Sequence, residues 1–210
     1  FTRIAAGETH LSALSLEVEE AELSGHQEQS LTSYISVMRG CDQFCTYCIV
    51  PHTRGREKSR PIPDIVKEVR EQVDGGSREV LLLGQNITAY GVAEARKEGI
   101  YTPEFSAFAD LLQALQEIPG LLRIRFTSPH VRYMNQKFIE TVCRLPKVCK
   151  AFHIPLQSGS NRILAAMNRG YTAEEYLQCI EGIRSLAPQA VFSTDIIVGF
   201  PGETPEEFEQ

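Results

Sequence analysis

From about residue 34 onward, short β-prone runs alternate with amphipathic helical stretches. Strands are predicted at residues 34–38, 79–83, 122–126, 151–156 and 190–197. The stretches between them repeat apolar residues with helical spacing, as in Ile65, Val66, Val69 and Val73. Such alternation places parallel strands side by side and packs helices against the sheet, so the predicted fold class is α/β.

Polar residues follow every predicted strand, and they bear on how the sheet closes. An open doubly wound sheet gathers its ligand at one switch point. A (β/α) barrel brings the carboxyl ends of all strands to one mouth. The polar positions are Gly40-Cys41, Gly84-Gln85-Asn86, residues 127–130, residues 157–160, and Asp195. This distribution favours the barrel, here an incomplete one that stops after its fifth strand.

Composition and chain ends limit the class of protein further. The 210 residues are 42% hydrophobic and 23% charged, as in a globular domain, with no membrane-spanning run and no signal peptide. The six cysteines lack the spacing of a disulfide framework, which predicts a cytoplasmic protein. We expect residues 1–33 to be a linker from a missing N-terminal domain and residues 34–210 to be a core domain. That core is expected to be cut short, because a helix start signal at Thr204 lies close to the last residue.

Three cysteines carry the strongest chemical signal. Cys41, Cys45 and Cys48 form a C-x3-C-x2-C pattern directly after the first predicted strand. Thiolate sulfur suits iron–sulfur clusters or zinc, and three thiolates can hold a [4Fe–4S] cube with one iron open to a small molecule. Two alternatives remain: a zinc-stabilised nucleic-acid-binding module with His52 as fourth ligand, and a thiol oxidoreductase using Cys45 and Cys48.

The cysteine pattern, with Tyr47 before its last member, resembles that of the radical S-adenosylmethionine (SAM) superfamily. Six separated segments resemble its methylthiotransferase branch, MiaB type: residues 40–61, 83–86, 128–130, 156–160, 167–171 and 193–203. The resemblance implies a TIM-like barrel of the radical SAM type and a transferase. Its expected activity is methylthiolation at C2 of N6-isopentenyladenosine, next to the anticodon in tRNA. Related members act instead on threonylcarbamoyl-adenosine in tRNA or on a ribosomal-protein aspartate.

The resemblance also implies roles for individual residues. The three cysteines would hold a [4Fe–4S] cluster that cleaves SAM, and Arg169 would bind the SAM carboxylate. The remaining SAM-binding residues are expected to be Tyr47 against the adenine, Gln85 and Asn86 at the amino-acid end, Ser128, Gln157 and Ser158 at the mouth, and Asp195 at the ribose or the substrate base.

A basic run, Arg54, Arg56, Lys58 and Arg60, follows the cysteine motif. We expect it to contact phosphates of the tRNA anticodon arm. The resemblance further implies a flavodoxin- or ferredoxin-like electron donor, and a second [4Fe–4S] cluster only in the missing N-terminal domain. We expect a monomer with no membrane association, and a fragment that binds a cluster without completing the reaction.

Overall fold

The computed structural model describes residues 30–210. The predicted linker, residues 1–33, lies outside the described residues except for its last four, and two of those already belong to the first strand. The strands are β1 (Thr32–Ser36), β2 (Met38–Arg39), β3 (Lys58–Ser59), β4 (Glu79–Leu83), β5 (Arg123–Phe126), β6 (Ala151–His153) and β7 (Val191–Ser193). The helices are α1 (Val50–Arg54), α2 (Ile62–Asp74), α3 (Val92–Lys97), α4 (Ala107–Gln116), α5 (Gln136–Arg144), α6 (Asn161–Ala166), α7 (Ala173–Leu186) and α8 (Pro205–Phe208).

Five of the strands lie in chain order in two parallel sheets, one formed by β1, β4 and β5 and the other by β6 and β7. β1 pairs with β4, β4 with β5, and β6 with β7, all parallel. A single parallel bridge between Ile124 and Val148 joins β5 to the segment before β6. A doubly wound sheet would reverse its strand order at a switch point. The observed order confirms the prediction of an incomplete barrel.

Alternate residues of these strands face the helix layer and form the core. Ile35, Leu82 and Ile124 are fully buried there, as the strand period of two requires. An aromatic cluster fills the space under α4 and α5: the Phe108 and Phe126 rings meet edge to face at 5.2 Å. α2 packs on α4, α4 on α5, and α5 on α7, so the helices form one continuous outer layer.

The opposite face of the parallel strands lines the interior of the incomplete barrel, or half-barrel. Tyr34, Arg123 and Val191 are exposed on it, and a cavity of about 230 Å³ lies between β4, β5, β6 and β7. In the described part of the chain, no helix combines the length and apolarity needed to cross a membrane.

The sequence patterns did not anticipate the two-stranded ribbon of β2 and β3, nor the short helices α1 and α3. The first predicted strand breaks at Val37, and β2 instead pairs antiparallel with β3. This two-stranded ribbon brings residues 40 and 57 together and closes the loop that carries the three cysteines. The first turn of α3 lies beside the ribbon, where Glu94 accepts a hydrogen bond from the Ser59 amide at 3.1 Å.

Candidate active site

The three cysteines lie on a loop closed at its base by Gly40. The Gly40 amide donates to Gln85 Oε1 at 2.8 Å, and its φ of +78° is left-handed. A Cβ at this position would stand 2.0 Å from the Arg56 carbonyl oxygen, so only glycine fits. Cys41 and Cys45 are buried and Cys48 is half-buried. The loop therefore presents three thiols close to the carboxyl end of β1.

A reciprocal pair of acidic side chains fixes the start of this loop. Glu57 accepts from the Asp42 amide at 3.1 Å, and Asp42 accepts from the Glu57 amide at 3.1 Å. The Arg56 guanidinium pairs with Asp42 at 2.8 Å. Burial raises the pKa of Glu57 to about 7, and the carboxylate of Asp42 adds to the effect.

Residues 166–169 brace the middle of the loop. The Thr46 amide donates to the Met167 carbonyl at 3.1 Å, and the Thr46 hydroxyl donates to the Ala166 carbonyl at 3.1 Å. The Asn168 side-chain amide donates to the Phe44 carbonyl at 3.0 Å. The segment that resembles a methylthiotransferase motif thus holds the cysteine loop in place.

Arg169 completes this brace from a buried position. Its side chain donates from Nη1 to Cys45 Sγ at 3.4 Å and to the Tyr47 hydroxyl at 3.3 Å. Nε donates to the Tyr171 hydroxyl at 3.0 Å, and Nη2 to the Pro155 carbonyl at 3.2 Å. The residue predicted to bind a SAM carboxylate is therefore occupied with the cysteine loop.

Four non-glycine residues of the described chain have left-handed backbone: Phe44, Ser128, Gln157 and Asn168, with φ of 40°, 59°, 76° and 57°. One lies in the cysteine loop, two lie in the loops after β5 and β6, and one lies in the brace. Such strained residues concentrate at functional sites. Their common location supports the mouth as the functional end of the barrel.

The residues predicted to contact SAM lie around the same mouth. Asn86 is buried, and its Nδ2 has no hydrogen-bond partner among the described residues. Gln85 holds Gly40, and the Ser128 carbonyl accepts from the Ile87 amide at 3.1 Å. The loop after β4 is thereby tied to the cysteine loop and to the loop after β5.

The loop after β6 is tied to the end of β7. The Gln157 amide donates to the Asp195 carbonyl at 2.9 Å, and the Ile197 amide donates to the Gln157 carbonyl at 2.9 Å. Ser158 is buried, and its hydroxyl accepts from the Ser160 amide at 3.2 Å. That bond uses Ser158 to shape the turn before α6.

Two histidines near the mouth were not among the predicted site residues. His153 Nε2 lies 3.1 Å from Asp195 Oδ2, and its Nδ1 lies 3.0 Å from the Ser193 hydroxyl, at the edge of the inner cavity. His130 is buried, and the pKa of its ring is lowered to about 3 by burial and by the charges of Arg169 and Arg132. His130 lies in residues 128–130, a segment that resembles the methylthiotransferase branch, so the sequence did contain a signal for it. No motif in the sequence pointed to His153.

The four residues of the basic run differ in their exposure to solvent. Arg54 and Lys58 are exposed, and Arg56 is exposed while pairing with Asp42. Arg60 is only 13% exposed, pairs with Glu68 at 2.6 Å and donates to the Ser36 carbonyl. The side chain of Arg60 is thus used inside the fold, and its contact with phosphates stays a prediction.

The three thiols of the loop supply the number of protein ligands that a four-iron cube with one open iron requires. Each thiolate of such a cube binds a different iron, whereas a structural zinc site takes four ligands on one ion. Within residues 30–210, no three His, Cys, Asp or Glu side chains are grouped around a single point that could hold one metal ion. Burial raises the pKa of Cys41 to about 11, so its thiol stays protonated until a metal displaces the proton.

A parallel, singly wound sheet with a three-cysteine loop at its mouth defines a barrel of the radical SAM type. The model of the radical SAM superfamily matches residues 35–210, and the chain belongs to that superfamily. Within it, the chain is similar to tRNA-2-methylthio-N(6)-dimethylallyladenosine synthases, the type of relative that its sequence motifs resembled.

The similarity covers most of this chain and under half of each relative. The synthase of Sulfurihydrogenibium sp. is 49% identical over 184 residues, which are 87% of this chain and 40% of that protein. The synthase of Thermotoga petrophila is 48% identical over 206 residues, covering 98% of this chain and 44% of that protein.

Solved structures support the fold. The radical SAM methyltransferase TsrM from Kitasatospora setae, solved with cobalamin and a [4Fe-4S] cluster, matches with a TM-score of 0.61 at 16% identity over 84% of this chain and 32% of that one. The cobalamin-dependent radical enzyme OxsB matches with a TM-score of 0.63 at 15% identity over 84% of this chain and 25% of that one.

Proposed function

We propose that the whole protein is a radical SAM methylthiotransferase that modifies C2 of N6-isopentenyladenosine beside the anticodon of tRNA. The observation that carries this proposal is the braced loop of Cys41, Cys45 and Cys48 at the mouth of the half-barrel. Similarity to synthases of this modification over 98% of the chain supports the substrate.

In this proposal the three cysteines hold a [4Fe–4S] cluster. The bound cluster supplies the electron for cleavage of the SAM C–S bond to a 5′-deoxyadenosyl radical, which is the chemistry of the cofactor. The chain's contribution is to orient and shield. The buried Nδ2 of Asn86, which has no hydrogen-bond partner within residues 30–210, is suited to donate to a bound SAM.

The other residues expected to contact SAM differ in how many hydrogen bonds already hold them. Tyr47 is 39% exposed, so its ring is open to stack on an adenine. The backbone groups of Gln157 and Ser128 form hydrogen bonds, and both residues have a left-handed φ. These turns fix the direction in which the two side chains leave the backbone. Gln85 and Ser158 already hold backbone amides, so they orient the mouth. We assign Asp195, with His153, to the substrate base side of the cavity.

The proposed tRNA contact rests on the exposed cations beside the cysteine loop. Arg54 lies at the end of α1 and Lys58 on β3, both exposed. Phosphate contacts by such residues weaken steeply with salt, because binding releases counterions. An external electron donor of the flavodoxin or ferredoxin kind, a second cluster in the N-terminal domain, a monomeric state and a cytoplasmic location complete the proposal.

Anaerobic reconstitution of the whole protein with iron and sulfide tests this function. After addition of dithionite and SAM, we expect 5′-deoxyadenosine, and with tRNA carrying N6-isopentenyladenosine we expect methylthiolated nucleoside by mass spectrometry. Replacing Cys48 by Ala should abolish both products. Replacing Cys149 by Ala, a half-buried cysteine outside the loop, should leave both unchanged.

Parallel reactions separate the alternatives. If product forms only with tRNA carrying threonylcarbamoyl-adenosine, or only with the ribosomal-protein aspartate, the proposed substrate is wrong and the proposed radical chemistry stands. A tightly held zinc without sulfide and without 5′-deoxyadenosine would refute the radical mechanism. The 210-residue chain alone should bind a cluster and form no methylthiolated product.

A further inference from the structure

A second cavity lies outside the mouth, between the N-terminal halves of α5 and α7. Its volume is about 390 Å³, which is within the range of small-molecule sites. Residues 131–132, at the start of a short 3₁₀ turn, and residues 170–171 also line it. We call this cavity the Arg132 pocket. None of its lining residues is among the predicted site residues, so the function proposed above does not use it.

The Arg132 pocket adjoins the mouth of the half-barrel through Tyr171. The buried ring of Tyr171 lines the pocket, while its hydroxyl lies 3.0 Å from the carbonyl oxygens of Pro155 and Leu156, in the segment after β6. Val131, on another wall, directly follows the loop after β5. A polymer with one unit in the mouth can therefore place a neighbouring unit in the pocket.

Arg132 supplies a free cation at the rim of the pocket. Its side chain is exposed, and within residues 30–210 the guanidinium has no ion-pair or hydrogen-bond partner. The Arg132 amide donates to His130 Nδ1 at 3.3 Å, which fixes the backbone at this point. A guanidinium with all its N–H groups available can form a bidentate bond with a phosphate.

Gly170 leaves room for this guanidinium. A Cβ at residue 170 would lie 3.0 Å from Arg132 Nη1 and 3.6 Å from Arg132 Cδ, and the φ of +69° there also favours glycine. The side chain of Arg132 therefore lies directly against the backbone of Gly170. This contact keeps the cation at the rim without neutralising its charge.

The floor of the pocket is apolar and firmly held. Met134 and Ile139 line it and are themselves buried in the fold. Cys179 Sγ donates to the Met134 carbonyl at 3.8 Å, which joins α7 to this floor. Such a surface suits a flat, weakly polar group such as the face of a nucleobase.

Polar side chains stand on the walls above this floor. Gln178 on α7 is exposed, and within the described residues its amide has no hydrogen-bond partner. Gln136 on α5 donates to Glu140 at 2.8 Å, and Glu175 accepts from the Thr172 amide at 2.7 Å, so both are partly used. The Gln178 amide is thus available both to donate and to accept at the edge of a base.

We infer that the Arg132 pocket binds an unpaired nucleotide of the tRNA anticodon loop, with its phosphate on Arg132 and its base between the apolar floor and the Gln178 amide. This inference rests on the proposed function, which supplies the tRNA. Bases of single-stranded RNA loops can leave the stack and be bound by their faces and edges. The free cation at the rim favours RNA over a protein segment, because every nucleotide carries a phosphate.

Filter binding of a synthetic anticodon stem-loop that carries N6-isopentenyladenosine to the whole protein tests the phosphate contact. Arg132→Gln should weaken binding about tenfold. It should also lower the logarithmic salt slope by about 0.7, because one fewer phosphate is neutralised. Arg184→Gln is the matched control, since it removes an exposed arginine that stacks on Phe192 outside the pocket, and should change neither quantity.

Abasic substitutions test the base contact. Each loop nucleotide other than the modified adenosine is made abasic in turn, and at one position we expect wild-type binding to weaken about tenfold. In Gln178→Ala the same abasic position should weaken binding only about threefold, because part of the contact is already lost. Gln189→Ala, at an exposed position beyond the end of α7, should keep the full penalty.

Two results would overturn the inference. One is an unchanged affinity and salt slope in Arg132→Gln, and the other is an equal abasic penalty in Gln178→Ala and wild type at every position. Either result would leave a protein segment as the better occupant of the pocket. Absence of methylthiolated product from the wild-type protein, with the Gln178 effect present, would instead refute the proposed function and leave the nucleotide site standing.

Discussion

Replacing Glu57 by Gln should stabilise the metal-free chain at neutral and higher pH. The carboxyl is buried, and its pKa rises from 4.5 to about 7 in the folded chain. At ~1.36 kcal/mol per pKa unit, that difference amounts to about 3 kcal/mol of unfavourable free energy when Glu57 is ionised. Gln keeps the oxygen that accepts from the Asp42 amide and carries no charge.

The sign follows from proton binding. Between pH 4.5 and 7 the folded chain holds a proton on Glu57 that the unfolded chain has lost, so stability falls as pH rises through this window. The wild-type and Glu57→Gln chains should therefore have similar unfolding free energies near pH 4.5. Their difference should grow to about 3 kcal/mol by pH 8.

Urea unfolding of the 210-residue chain, followed by circular dichroism from pH 4.5 to 8, measures this difference. Glu104→Gln, at an exposed position, is the matched control and should give a difference that does not vary with pH. If the wild-type and Glu57→Gln curves run parallel across the range, burial of Glu57 does not carry the energy assigned to it.

Three further predictions concern the mouth. Gly40→Ala should sharply reduce iron uptake, because its Cβ meets the Arg56 carbonyl, whereas Gly99→Ala, equally left-handed but in open space, should not; iron and sulfide analysis measures both. Asn168→Gly permits the same φ but removes the bond to the cysteine loop, so hydrogen exchange at the Thr46 amide should accelerate. Arg54→Gln should lower the salt dependence of tRNA binding, by about 0.7–0.9 in the logarithmic slope, in filter binding.

Each of these has a contradicting result. Equal iron uptake in the two glycine variants would remove the steric account of the loop base. Unchanged exchange at residue 46 would show that the brace does not depend on the amide of residue 168. An unaltered salt slope would exclude residue 54 from the tRNA surface.

The parallel strands and the longer helices could be predicted from the sequence, because each of them repeats apolar residues over enough positions to show its period. Residues 173–186 were predicted as a helix with a capping box, and α7 has those bounds and that box. The β2–β3 ribbon was missed, since strands of two residues have no periodicity. Its position depends on Gly40 and on contacts between residues distant in sequence.

Side-chain roles were harder to predict than the location of the mouth. Arg60 resembled its basic neighbours in sequence, but its side chain turns inward to Glu68. Arg169 was assigned to the SAM carboxylate by the family resemblance, and its contacts with the cysteine loop were not predicted. Sequence alone does not reveal that Cys45 and Arg169, over 120 residues apart in the chain, come into contact.

The four left-handed residues at the mouth also bear on how this protein can evolve. A non-glycine residue in that conformation costs about 1–2 kcal/mol, which a glycine largely avoids at an entropic cost of about 0.5–1 kcal/mol. A laboratory selection for heat resistance alone should therefore accumulate glycine at positions such as 44 and 157. These glycine substitutions would lie in the loops that form the proposed active site. We therefore expect mutations at these positions to trade thermal stability against catalytic activity.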